Sequence, residues 1–173
     1  MSDTALINRV AESGIITINL EEWYPSEEIV TFDLKKYLFH ELILREKDFR
    51  QALLEQDWSV FQHKIVLINC TADAIIPLWA YMLVANYLSG IASDVFQGEA
   101  EEYLTCYYKK VIESLDTKQY EGQRIVIKGC SHKPVPAQAY ASMTIRLKPL
   151  ALSIMFGEPC STVPIFKKPK SAE

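Results

Sequence analysis

Between Gln123 and Pro136 the chain reads QRIVIKGCSHKPVP, and a thiol, an imidazole and an ammonium stand within four residues at Cys130, His132 and Lys133. The apolar run Ile125, Val126, Ile127 stops at Gly129, which is how a buried strand hands over to a turn. A thiol at such a turn, next to a helix N-terminus and two cationic side chains, is lowered in pKa and becomes a nucleophile. On that reading Cys130 is the catalytic residue of a cysteine-dependent enzyme, with His132 and Lys133 binding beside it.

A second chemistry draws on more of the chain. Cys70 also follows an apolar run, and Cys160 lies in the closing segment FGEPCSTVP. Cys70, Cys130 and Cys160 with His132 or Asp73 as a fourth ligand form a soft donor set that suits zinc or iron. Their spacing matches no compact zinc motif, so the fold itself has to bring them together. The third reading is structural: reduced cysteines pack as small hydrophobes, and Gly129 to Pro136 is a rigid turn. The isolated His40 and His63 read as surface residues.

Other chemistries lose their signatures. A tyrosine-phosphatase loop requires an arginine where this chain has Pro136. Neither a Cys-x-x-Cys pair nor a Gly-x-Gly-x-x-Gly, Walker, Gly-x-Ser-x-Gly or His-Glu-x-x-His motif occurs.

The elements that must position these residues follow from periodicity. Ile16, Ile18 and Leu20 alternate with polar residues, as do Val30 and Phe32, and the two pieces are expected to pair as an irregular N-terminal β-hairpin. Asp33 is placed to cap a turn over Leu34–Phe39. Glu46–Gln56 reads as a surface helix on Phe49, Ala52 and Leu53. Lys64–Asn69 is a strand covered on both faces. A helix follows, starting near Ala74–Ile76 because Pro77 fits only a first turn, and stopping at Gly90. Ser93–Gln97 is a strand, and Glu99–Leu115 a helix with an inward stripe of Ala100, Leu104, Tyr107, Val111 and Leu115. Arg124–Lys128 is a strand, 137–156 a helix kinked or divided by Pro149, and Thr162–Phe166 an edge strand. No internal repeat is apparent.

This alternation predicts an α/β fold: a single domain over residues 1–173 with a mostly parallel central sheet flanked by helices, residues 1–12 and 168–173 being flexible termini. Ligands of such sheets bind beyond the carboxyl ends of the strands, where Cys70 and Cys130 fall. Cys160, after the last helix, is expected at the opposite edge. Trp23, Tyr24, Trp58 and Phe61 would form a homo-oligomer or partner interface if exposed together.

Of the 173 residues 49% are hydrophobic and 23% charged, an ordinary globular composition, and the formal net charge of −4 argues against a nucleic-acid or membrane-surface partner. The start MSDTALINRVAESG lacks the build of a secretory signal, so a cytoplasmic location is expected. Ala74–Ser93 is uncharged, but its Pro77, Asn86 and Gly90 favour a buried helix over a membrane span.

The segments LILREKDFR (Leu42–Arg50), TADAIIPLWAYML (Thr71–Leu83), KGCSHKPVP (Lys128–Pro136) and FGEPCSTVP (Phe156–Pro164) resemble the bacterial family catalogued as domain of unknown function 2480. The resemblance spans about Asn8 to Lys168. It brings no catalytic residues with it, and implies a pathway link to iron–sulfur assembly proteins as partners, in an accessory or metal- or cluster-binding role.

Overall fold

The computed structural model describes residues 14–129, 132–158 and 161–169. In chain order the strands are β1 (Ile15–Ile18), β2 (Ile29–Asp33), β3 (Leu38–Phe39), β4 (Ile43–Leu44), β5 (Ile65–Asn69), β6 (Asp94–Gln97), β7 (Arg124–Ile127), β8 (Ser153–Glu158) and β9 (Ser161–Lys167). The helices are α1 (Glu46–Glu55), α2 (Leu78–Leu88), α3 (Ala100–Ser114) and α4 (Ala137–Leu147). The protein is α/β, and its sheets are mostly parallel as the alternation requires. No helix among the described residues is long and apolar enough to cross a membrane.

The chain folds as two compact units, an inserted one of Pro25–Tyr103 and a split one formed by the described residues of Met1–Tyr24 and Leu104–Glu173; the boundary falls inside α3. The inserted unit holds the parallel sheet β2-β5-β6 and the small β3-β4 ladder. All five residues of β5 are buried, because helix or chain covers both faces. Its core joins Phe32, Leu34, Val66 and Ile68 to Phe49 and Leu53 of α1 and Ala80, Val84 and Leu88 of α2. The split unit holds β1-β7-β8 in parallel, with β9 added antiparallel at the edge. Pro164 sits on that edge, beside a register shift, where a missing N–H breaks no inner ladder.

Several sequence expectations change. The two alternating N-terminal pieces do not pair with each other: β1 joins β7 and β2 joins β5, because each is completed by a partner strand from its own unit. The hairpin in this region is β3-β4, closed by His40 and Glu41 at positive φ. Helix α4 ends at Leu147, just before Pro149, and the rest of the expected helix is not helical: Ser153–Glu158 is strand β8. Helix α2 starts at Leu78 with Pro77 as its N-cap. The buried residues of α3 are Tyr103, Leu104, Tyr108 and Ile112, so its inward stripe is rotated from the expected one, and Ala100 is exposed. Trp58 and Phe61 are half-buried, with Trp58 stacked on Phe32 and on Tyr87.

The two units also repeat one another, which the sequence reading missed. Ile15 pairs with Arg124 as Ile29 pairs with Ile65, and Arg124 pairs with Ser153 as Ile65 pairs with Asp94. Helices α2 and α4 are each 11 residues long, follow an N-cap proline, and bury matching positions: Ala80, Val84 and Leu88 against Ala139, Met143 and Leu147. His63 and Gly122 take the same left-handed φ, 59° and 67°, and donate to Ile91 O and Leu150 O at 3.0 and 2.9 Å. Asn19 and Asp33 cap equivalent short turns, each followed by a buried leucine, Leu20 or Leu34. Gly98 and Gly157 both have positive φ and both precede a glutamate. A constant interval along the chain, without insertion, relates every pair from His63/Gly122 to Glu99/Glu158.

Candidate functional site

The connection between β7 and α4 is a strand-to-helix loop of the split unit. Strand β7 is hydrogen-bonded as far as Lys128, whose N–H donates to Ile18 O at 2.8 Å. Gly129 then lies under the ring of Phe156: a Cβ there would stand 2.7 Å from Phe156 Cζ, so only glycine lets the ring close down on the backbone. Farther along, Glu21 Oε1 accepts from His132 N at 2.9 Å and from Lys133 N at 3.0 Å. One carboxylate oxygen from the turn after β1 thus clamps the loop. The clamp is local in space yet far apart in sequence.

Val135 N donates to Lys133 O at 2.9 Å, giving a turn that delivers the chain to Pro136, the N-cap of α4. Proline suits this boundary, though it offers the first turn no side-chain cap. Lys133 Nζ is 5.2 Å from the centroid of the Tyr24 ring, and Tyr140 meets Phe156 edge to face at 5.7 Å. Together Gly129, Lys133, Pro134, Val135, Tyr140 and Phe156 line most of an open cleft of about 540 Å³. That volume lies within the ~300–1,000 Å³ range of small-molecule sites. Beneath lies Tyr108, wholly buried, whose hydroxyl donates to Leu20 O at 2.9 Å. Burial first, then the neighbouring Tyr107, Tyr140, Tyr24 and Glu21, push its pKa far above the ordinary phenol value. It is a fixed donor, not an acid of the site.

The equivalent edge of the inserted unit is built differently. Asp33 accepts from Lys35 N at 2.9 Å, from Thr71 N at 3.1 Å and from Thr71 Oγ1 at 2.6 Å. Burial raises the Asp33 pKa, but these hydrogen bonds and the charge of Lys36 outweigh it and hold the carboxyl below its usual value. Asn69 is buried and donates to Glu99 Oε1 at 2.8 Å, while its Oδ1 has no partner among the described residues. Cys70 is half-buried with its thiol 3.6 Å from Ala72 O, and Asp73 is exposed.

Of the residues singled out from sequence, Cys130 and Cys160 lie outside the described residues. His132 and Lys133 are at the cleft loop, while Cys70 and Asp73 belong to the inserted unit. Among the described residues no three His, Cys, Asp or Glu side chains stand together as a metal site. Strand β8 runs parallel to β7, so its end at Glu158, paired with Ser161, lies at the carboxyl edge with Lys128. The sequence pattern did not mark Glu21 or Phe156 for this site, and marked Tyr24 only for an exposed aromatic interface. The signal available for Tyr140 was its match to Tyr81 in the other repeat.

The family model for the protein of unknown function DUF2480 matches residues 4–168. The chain belongs to this family. Neither a curated protein nor a solved structure matches the sequence. Membership in DUF2480 agrees with the resemblance drawn from the sequence and assigns no activity.

Proposed function

We propose that the protein is a non-catalytic accessory protein that works by binding a ligand at the carboxyl edge of the split unit's sheet. The observation that carries this reading is the Glu21 clamp, which holds the backbone of His132 and Lys133 in place beside the cleft. A preformed loop spends little free energy on ordering when a ligand arrives. The cleft's chemistry selects a small molecule with an anionic group, met by Lys133 and the first turn of α4, and a planar apolar part, met by Tyr140 and Phe156. Benzoate joins these two features, and benzamide is its uncharged counterpart. Calorimetric titration should give a dissociation constant on the order of 1 mM for benzoate, weaker for benzamide. Lys133→Gln should remove that preference. Equal binding of the two probes, or none, would refute this ligand class.

A second reading is favoured by the course of β8. Cys130, His132 and Cys160 all come from segments whose flanking residues lie at this one edge, which supports a soft-metal or cluster site for an accessory role in iron–sulfur assembly. Elemental analysis of protein purified without oxygen tests it: bound zinc or iron lost on Cys130→Ser supports the site, and metal-free wild-type protein sinks it.

A further inference from the structure

The interval that relates the two repeats also runs back into the helices before their central strands. It matches α1 with the C-terminal part of α3, so that the buried Phe49 and Leu53 answer to the buried Tyr108 and Ile112. The turns that follow match as well: Asp57 Oδ1 accepts from Ser59 N at 3.0 Å, and Asp116 Oδ1 from Lys118 N at 3.1 Å. The space between α1 and α2 therefore corresponds, position by position, to the space between α3 and α4.

In the inserted unit large side chains fill that space. The Trp79 ring lies 6.1 Å from that of Phe49, and Tyr87 stacks at 4.9 Å on Trp58, whose indole N–H donates to Leu53 O at 3.0 Å. Leu83 packs on the same core. Where Trp79, Leu83, Tyr87 and Trp58 stand, the split unit has Gln138, Ser142, Arg146 and Thr117. Between α3 and α4 there is accordingly a groove of about 530 Å³, lined by the buried Ile112 and by Ile145, which is 72% exposed. A ring placed there covers the apolar surface that the rings of the other repeat cover.

The charges differ in the same direction. Arg50 pairs with Glu46 at 2.9 Å, whereas the matching positions hold Lys109 and the uncharged Thr105, and Lys109 has no ion-pair partner among the described residues. Arg146 Nη2 donates to Glu113 O at 3.0 Å and Leu115 O at 3.2 Å, which fixes the guanidinium at the C-terminal end of α3. A fixed guanidinium plane is a stacking surface for an aromatic ring. Glu113 offsets only one of the two positive charges on the groove. We infer that the α3–α4 groove is a second binding site, separate from the cleft at the 128–136 loop, for a planar aromatic molecule with an anionic group. The ring takes the space that Trp79 and Tyr87 fill in the other repeat, and the anion meets Lys109.

Indole-3-acetate and tryptamine share a ring system and carry opposite charges. Calorimetric titration of the full chain should show indole-3-acetate binding about 10-fold more tightly, the gap between an attracted and a repelled charge. Amide shifts of ¹⁵N-labelled protein should move at Lys109, Ile112, Ser142 and Ile145, and should do so equally in Lys133→Gln, which alters the other cleft. Lys109→Gln, at an exposed side chain, should narrow the gap between the two compounds to about 3-fold. Gln138→Trp/Ser142→Leu installs the side chains of the other repeat and should weaken indole-3-acetate about 10-fold or more, circular dichroism confirming that the variant is folded. An absence of saturable binding, tryptamine binding as tightly as indole-3-acetate, shifts lost in Lys133→Gln, a gap unchanged by Lys109→Gln, or full affinity in a folded double variant would each overturn the inference.

Discussion

Replacing Glu21 by alanine removes the one acceptor that serves both His132 N and Lys133 N, at 2.9 and 3.0 Å. A buried hydrogen bond to a charged group contributes ~1.5–3 kcal/mol. Both amides here lie near water and rehydrate when the carboxylate is gone, so the pair together is worth about 1 kcal/mol. The loss falls on local opening of the loop, not on global unfolding. One kcal/mol corresponds to roughly a five-fold change in the opening equilibrium. Amide exchange at His132 and Lys133, followed by NMR, should accelerate about five-fold in Glu21→Ala, while exchange in the buried strand β7 stays unchanged. Glu21→Gln keeps an acceptor without its charge and should fall between. Equal exchange at these two amides in wild type and Glu21→Ala would refute the clamp.

Other consequences follow from the same geometry. Thr71→Val removes the hydroxyl that Asp33 accepts from at 2.6 Å and should lower stability by about 1 kcal/mol at pH 7. Because the folded Asp33 pKa is depressed, this contribution is fully present above the unfolded carboxyl range near pH 4 and is lost as the pH falls through the lower folded value. Denaturation midpoints of the two proteins should therefore converge toward pH 2, and an undiminished gap there would contradict the assignment. Gly157→Ala puts a Cβ 2.5 Å from Ser161 O at φ +124°, and should destabilise by about 2–4 kcal/mol in urea unfolding. Gly90→Ala, at φ +79° in open space, should lose only about 1–2 kcal/mol; equal losses would show that the β8-β9 contact is not the cause. Tyr108→Phe removes the buried hydroxyl that donates to Leu20 O and should reduce stability by about 0.5–1.5 kcal/mol by the same assay, with no change reading against the buried bond.

The strands and helices were legible where a single face decides them. Ile65 to Asn69 read as a doubly covered strand, and Phe49 and Leu53 marked the inner face of α1. Partner choice was not legible, because alternation in β1 and β2 says which face is buried but not which strand completes the ladder. The stripe of α3 was misplaced because Tyr103, Tyr107, Tyr108 and Val111 are all apolar enough to sit inward, leaving the helical phase ambiguous. The repeat stayed hidden for a related reason. Its common features are backbone ones, a proline cap and glycine-compatible φ, while buried positions exchange Val84 for Met143 or Phe49 for Tyr108 at little loss of packing. In the sequence, Cys130, His132 and Lys133 stood out by residue type. Glu21 could not, since a carboxylate that closes a loop over a hundred positions away leaves no local pattern.

Benzoate should bind at the 128–136 loop and its cleft. Titration of ¹⁵N-labelled protein with benzoate tests it most directly, read as amide chemical-shift changes along the chain. Saturable shifts should be concentrated at Gly129, His132, Lys133, Ala137, Tyr140 and Phe156. Shifts absent from this loop, or confined to the loop Cys70–Pro77 of the other repeat, would contradict it.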